Sequence, residues 1–292
     1  PKSAAAYRSV WTDEGSPLLV FSRALLEQVR EALPGVPVEL SMRYGEPAVA
    51  SGIEALVAAG CDRLLLCPLY PHYASSSTGS SLAKAYEIAS RAWNTPFVTV
   101  VPPFYDDPEY IEALADSGRE TLADLKPDRV LFSYHGLPER HCRKSDPTGA
   151  HCLASDRCCD AIVDANRNCY RAHCMATSRA LQAKLGLADE TVLTTFQSRL
   201  GRDPWIRPYT DEAIVTLAKE GVQRVAVFCP AFTADCLETI EEIGVEARES
   251  FAEHGGQELR LVPSLNSNPV WVRTLVSLCR RALPADALPA GV

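Results

Sequence analysis

Three groups of side chains in this sequence have types and spacings suited to chemistry. The first centres on His135, in Ser133-Tyr134-His135-Gly136-Leu137-Pro138. It follows the apolar run Arg129-Val130-Leu131-Phe132. A short apolar run that ends in Gly and Pro predicts a buried strand delivering its last residues to a surface. His135 would then sit at the carboxyl end of a parallel-type strand, the edge where open α/β sheets bind ligands. Neutral imidazole near pH 7 can take a proton or ligate a metal. The plainer reading is a histidine satisfied by hydrogen bonds at a strand end.

The second group follows Cys229-Pro230. A turn leads into a helix near Asp235, and Glu238, Glu242 and Glu246 are spaced four apart along one face of it. Like charges at that spacing are unfavourable in an isolated helix. A solvated acidic face near a helix start is the plain alternative, and it suits Glu241 and Glu249. Glu238 lies next to the strand end, where a carboxylate ladder leading to a histidine could conduct cations or protons.

The third group is the cysteines, eleven in all. Cys61, Cys67, Cys229, Cys236 and Cys279 are scattered, whereas Cys142, Cys152, Cys158, Cys159, Cys169 and Cys174 are clustered. The odd total and the lack of an export-signal pattern disfavour a disulfide framework. The clustering favours a metal or iron–sulfur site.

Aromatics gather at the same predicted edges. Tyr70-Pro71-His72-Tyr73 follows the first Cys-Pro, Phe232 follows the second, and Trp205 follows an Arg-Asp-Pro turn. Core packing is the usual role of such residues, but in loops beside His135 they suit a flat apolar ligand. The run Ser75 to Ser81 is a donor-rich helix start, able to hold an anion such as a propionate or simply to cap the helix. It lacks the Lys of a phosphate-binding loop and the spacing of a dinucleotide fingerprint.

The elements that must position these groups alternate. Strands are predicted at 36–42, 63–66, 97–101, 129–134, 191–195, 225–228 and 259–262. Helices are predicted at 48–59, 79–91, 108–125, 211–220, 237–251 and 269–283, and residues 7–11 read as a helix already under way. Such alternation marks parallel α/β sheets with crossover helices. The halves also resemble each other. Met42 to Pro47, a helix, Gly60 and a strand ending Cys67-Pro68 match Ser198 to Pro204, a helix, Gly221 and a strand ending Cys229-Pro230. The expected organisation is therefore a duplicated α/β domain, residues 1–127 and 128–292, with a cysteine-rich insertion at 141–174, a closing helix at 269–283 and a common cleft at the strand ends.

The 292 residues are 47% hydrophobic and 23% charged, with a net charge of −8 and a pI near 5.3. That balance excludes a general nucleic-acid binder, which would be basic. No apolar run approaches a membrane span. A cytoplasmic protein is expected, with peripheral membrane contact left open and the oligomeric state unspecified.

Taken together, residues 133–138, Gln197-Ser198-Arg199-Leu200-Gly201 with Pro204-Trp205, Pro208-Tyr209-Thr210-Asp211-Glu212 and Asp235-Cys236-Leu237-Glu238-Thr239 resemble the ferrochelatase family. So do Gly15-Ser16-Pro17-Leu18 and Tyr70 to Tyr73 followed by Ser77-Thr78-Gly79. The resemblance implies two Rossmann-like domains around a porphyrin cleft, and insertion of Fe²⁺ as substrate into protoporphyrin IX to make haem. It implies that His135 and Glu238 form the central metal- and proton-handling pair, with Asp235 and Glu242 in support. Arg43, Tyr44, Tyr73, Trp205 and Phe232 would line the cleft. Some relatives carry histidine where this chain has Cys236.

Family members also begin with a further strand and a helical lip before the point matched by Pro1, so the chain is expected to be a fragment or to be numbered from inside its parent. The segment His141 to Cys174 resembles the insertion of members that carry a [2Fe–2S] cluster, for which four thiolates are needed. Cys142, Cys152, Cys158, Cys159 and Cys169 are the candidates, and Cys174 ranks lowest. The spacings match no zinc finger or plant-type ferredoxin, so the order of readings is iron–sulfur, then zinc, then free thiols. Two rival functions remain at this stage. One is a chelatase for another tetrapyrrole or metal, such as coproporphyrin or cobalt. The other is a two-lobed haem or iron–sulfur binding protein without turnover.

Overall fold

The computed structural model describes residues 8–283. Two parallel sheets organise it. The smaller pairs β1 (Arg63–Leu66) with β2 (Phe97–Val100). In the larger, β3 (Arg129–His135) lies between β4 (Val192–Gln197) and β5 (Arg224–Phe228), and β6 (Glu258–Leu261) flanks β5. Val130, Leu131, Phe132 and Tyr134 are wholly buried, as expected of a central parallel strand covered on both faces. Helices α1 (Pro17–Ala32), α2 (Val49–Ala58), α3 (Ser80–Ala89) and α4 (Pro108–Leu125) belong to the first half. Helices α5 (Glu139–Ser145), α6 (Tyr170–Leu185), α7 (Thr210–Lys219), α8 (Leu237–Ile240), α9 (Arg248–Glu253) and α10 (Pro269–Ala282) follow.

The internal repeat is tighter in space than in sequence. The Met42 N–H donates to the Pro47 carbonyl at 2.7 Å, across a loop with a cis Glu46–Pro47 bond; the Phe196 N–H donates to the Pro208 carbonyl at 2.8 Å, across one with a cis Arg207–Pro208 bond. Helices α2 and α7 follow, and the left-handed Gly60 and Gly221 (φ 87° and 88°) turn the chain into β1 and β5. Each strand then leads through Cys-Pro to a π-helical turn, Ser75–Gly79 or Glu242–Ala247. The side chains of Asp107 and Asn268 cap α4 and α10, each with Pro in the first turn. Pro47 therefore corresponds to Pro208, not Pro204, because the loop after β4 is longer. Strand β5 is also one residue longer than β1, which accounts for the different Gly-to-Cys spacing.

The repeat has one gap. Strand β5 has β3 on one edge and β6 on the other, whereas among the described residues β1 has only β2. Beside the other edge of β1 is a cavity of about 1110 Å³, whose walls include Leu25, Val29, Val38, Leu40, Leu64 and Leu66. The expected strand at 36–42 is consequently not a strand. It forms only the bridge from Met42 to Ala48, since no ladder partner runs beside it among the described residues.

Other expectations shift as well. The helix expected at 237–251 is divided into α8, a π turn and α9. Helices α1, α5 and α6 were not anticipated; α6 is only weakly amphipathic because neighbours bury it on several sides. Of the helix expected at 7–11, residues 8–10 are helical and Tyr7 lies outside the described residues. The closing helix α10 packs against α1 and α4, burying Trp271 completely. No helix among the described residues is long and apolar enough to cross a membrane.

Candidate active site

His135 is the last residue of β3, in register with Gln197 at the end of β4. Its Nδ1 lies 2.7 Å from the Gly136 carbonyl oxygen. A carbonyl can only accept, so Nδ1 carries a proton, and in the neutral ring Nε2 keeps its lone pair. The imidazole is half-buried, with the Trp205 and Phe232 rings each centred 6.3 Å away. Gly136 is required by close approach: a Cβ there would lie 2.9 Å from the Gln197 carbonyl oxygen and 3.1 Å from Trp205 Cε3.

The cavity beside β1 continues to this strand end. His135, Glu238, Phe232, Cys236, Arg43 and Tyr70 all line it, so the structure brings the expected histidine and glutamate to one cleft. Arg43 is fixed by donation from Nε to the Ser80 hydroxyl and carbonyl at 2.9 and 3.2 Å, and its guanidinium lies 4.5 Å from the centre of the exposed Tyr44 ring. Ser76, Ser77 and Ser81 line the cavity near that helix start. Tyr44, Tyr73 and Trp205 do not line it. Trp205 packs on His135, and the Tyr73 N–H donates to His173.

The carboxylates expected to act together are divided by the π turn. The Glu246 N–H reaches back five residues, to Glu241, at 2.9 Å. Glu238 faces the main cleft. Glu242 and Glu246 line a second cavity of about 290 Å³ with Arg199 and Asp211. Glu242 accepts from the Ser198 N–H and hydroxyl at 2.7 and 2.6 Å, and so secures the left-handed Ser198 (φ 64°). Asp235 is buried and also occupied: it accepts from the Thr239 hydroxyl at 2.9 Å and Asn266 Nδ2 at 2.8 Å, fastening the loop after β6 to the start of α8. Burial, then the charge and hydrogen bond of Glu238, push the Cys236 thiol up. It remains a protonated neighbour of that carboxylate.

Gln197 is a site residue that sequence reasoning passed over. Its amide donates to the Glu238 carbonyl at 2.7 Å and to Glu242 at 3.2 Å, and its oxygen accepts from Ser133 at 2.8 Å. The signal was a polar side chain ending an apolar strand. Buried at 3% exposure, it needed partners, and those partners are the acidic turn.

The cysteine segment also converges. The neighbouring Cys142 and Cys159 thiols, and then Cys152, hold the Cys169 thiol well below the ordinary range. The Cys142 and Cys159 thiols are themselves pushed up, by Cys169 and by burial. Cys152 is pushed up to about 12, first by burial and then by the Cys169 charge. Arg171 Nη1 lies 3.2 Å from the Cys159 sulfur and 3.7 Å from that of Cys158. Cys174 is wholly buried, and that burial pushes its thiol up. Among the described residues no group of three or more His, Cys, Asp or Glu is arranged to hold a metal ion.

A sequence model of the ferrochelatase family matches residues 1–283. Ferrochelatase of Pseudomonas fluorescens (strain Pf0-1) is 48% identical over 282 residues, 96% of this chain and 82% of that protein. That of Stutzerimonas stutzeri (strain A1501) is 47% identical over the same shares. Among solved structures, SirB from Bacillus subtilis with Fe³⁺ superposes with a TM-score of 0.59 at 19% identity, covering 89% of this chain and 88% of that one. CbiX, described as the terminal enzyme of sirohaem biosynthesis in denitrifying bacteria, gives 0.54 at 15% over 92% and 95%. These two show a shared α/β chelatase fold; the sequence matches show more. The chain belongs to the ferrochelatase family, as an enzyme that inserts ferrous iron into protoporphyrin in haem synthesis.

Proposed function

We propose that His135 and Glu238 are the residues that carry the metal insertion. The observation behind this is their shared cleft, with the Nε2 lone pair of His135 left available by the bond from Nδ1 to Gly136. Metallation must release two pyrrole protons. His135 Nε2 accepts one, and the Glu238 carboxylate, on the same cleft wall as Cys236, accepts the other or steadies the incoming iron. Phe232 and Tyr70 suit the macrocycle, while Arg43 and the serines at the π turn suit its carboxylates. The buried hydroxyl of Ser81, on the cavity lining, has no hydrogen-bond partner, as befits a donor facing a ligand anion. Catalysis then follows from binding the reacting geometry of the ring more tightly than its resting one. Asp235, Glu242 and Gln197 act by holding the Glu238 turn.

His135→Ala and Glu238→Gln should each lower zinc or iron insertion by at least a hundredfold while leaving the melting temperature within a few degrees. The assay follows loss of free-porphyrin fluorescence, and near-normal turnover in either variant overturns the assignment.

Two finer readings accompany this. Cys142, Cys152, Cys159 and Cys169, with Cys158 as the alternate, have the donor chemistry to hold a [2Fe–2S] cluster: soft thiols, buried, beside an arginine. Loading requires the thiols to lose their protons. Such a cluster supplies a redox-active or structural centre, and the chelation itself transfers no electrons. The cavity beside β1 has the place and lining of a parallel strand equivalent to β3. We propose that such a strand completes the first sheet.

A further inference from the structure

Helix α6 joins the thiol group to the cleft. Its first turn hangs from Cys169, whose carbonyl accepts the His173 N–H at 3.1 Å. One turn on, His173 is buried at 1% exposure and its proton position is determined. Nε2 donates to the Arg167 carbonyl at 2.7 Å, so Nδ1 is the acceptor for the Tyr73 N–H at 3.2 Å. Its ring stacks on Tyr105 with centroids 3.8 Å apart and planes 12° from parallel. A further turn along, the Thr177 hydroxyl donates to the Tyr105 carbonyl at 2.5 Å and therefore accepts from His72 Nε2–H at 2.9 Å.

His72 and Tyr73 belong to the loop after β1, and Tyr105 to the loop after β2; the Phe104 N–H ties the two together through the Pro71 carbonyl at 3.0 Å. Tyr70, Pro71 and His72 line the cleft. The same helix reaches the other wall through Ser178, 2.9 Å from the hydroxyl of Tyr134, the residue before His135.

The side-chain contacts of His173 and Thr177 with the two loops are not explained by helix formation. A helix needs no buried histidine with both ring nitrogens engaged by backbone of other segments, and burying one costs free energy unless each nitrogen is satisfied. The arrangement fixes a loop that has neither helix nor strand to hold it. We infer that His173 and Thr177 are positioning residues for porphyrin binding, acting by fixing the cleft loop 70–74. The inference rests on the porphyrin-cleft reading above.

The test uses the full chain, with zinc insertion into protoporphyrin for KM and kcat and fluorescence titration for porphyrin affinity. Wild type is measured first; if it neither binds nor metallates porphyrin, the cleft reading fails and this inference with it. His173→Leu and Thr177→Val should each raise the porphyrin KM about tenfold, the worth of one well-placed hydrogen bond, with kcat changed less than about threefold. His173→Asn, which keeps an acceptor for the Tyr73 N–H, and Thr177→Ser should recover most of the loss. If folded His173→Leu and Thr177→Val keep wild-type KM, the inference is wrong. Should His173→Leu not fold, the Thr177 pair decides alone.

Discussion

Gly136→Ala tests whether the placement of His135, and not merely the stability around it, governs turnover. The added Cβ would lie 2.9 Å from the Gln197 carbonyl oxygen and 3.1 Å from Trp205 Cε3. Carbon atoms prefer separations of about 3.5–4.0 Å, so something must move by roughly half an ångström. The oxygen cannot yield freely, because it accepts the Gly136 N–H at 2.8 Å. Overpacking of this kind costs about 1–3 kcal/mol, which in a chain of this size lowers the melting temperature by several degrees. The displaced segment is the end of β3 that carries His135, and a misplacement approaching 1 Å can cost up to about a hundredfold in rate.

Gly118→Ala is the matching control. Its Cβ would meet Phe228 Cζ at 2.2 Å between α4 and β5, away from the cleft, so it should destabilise at least as much while leaving kcat within about twofold. The assay is zinc insertion at a temperature where both variants are folded, alongside thermal melts. The expected result is a kcat ten- to a hundredfold down for Gly136→Ala only. Equal kcat in the two variants at comparable destabilisation would refute the positional argument.

Three further outcomes are expected. The N–H of Cys152, the hydroxyl and N–H of Thr148 and the N–H of His151 hold the Asp146 carboxyl well below the ordinary range. A depressed carboxyl stabilises the fold above its unfolded pKa and loses that contribution as pH falls; Asp146→Asn should therefore melt lower than wild type at pH 7, with the gap closing below about pH 4, and a constant gap would contradict the assignment. The amides of Leu64 to Leu66 in β1, paired on one edge, should exchange hydrogen faster than those of β5, paired on both; equal protection by mass spectrometry would remove the case for a strand site beside β1. Anaerobically purified protein should carry visible absorbance with stoichiometric iron and sulfide, lost in Cys142→Ser and kept in Cys174→Ser; a colourless, sulfide-free wild type counts against the cluster.

The strand ending in His135 was legible because burial on both faces of a parallel sheet demands an unbroken apolar run, and Gly-Leu-Pro marks where it stops. The capped helix at 108–125 was legible for the same kind of reason, since Asp107 and Pro108 specify its start locally. Helix α6 was not, because its buried face is shared among Tyr134, His72 and the thiol group, and no single 3.6-residue stripe results. The acidic ladder was misjudged as one face: four-residue spacing aligns side chains on an α-helix, but the π turn redirects them and sends Glu242 to Ser198.

By itself the sequence determined that this is a parallel α/β protein of two related halves, with a histidine at a strand end and thiols in one segment. Those are consequences of local periodicity and spacing. Only the tertiary structure decided that Glu238 lines the same cavity as His135 while Glu242 and Asp235 brace the turn, that Gln197 bonds to Glu238 and Glu242, and that α6 reaches from the cysteines to the cleft. These depend on contacts between residues distant in the chain, made where buried polar groups had to find partners.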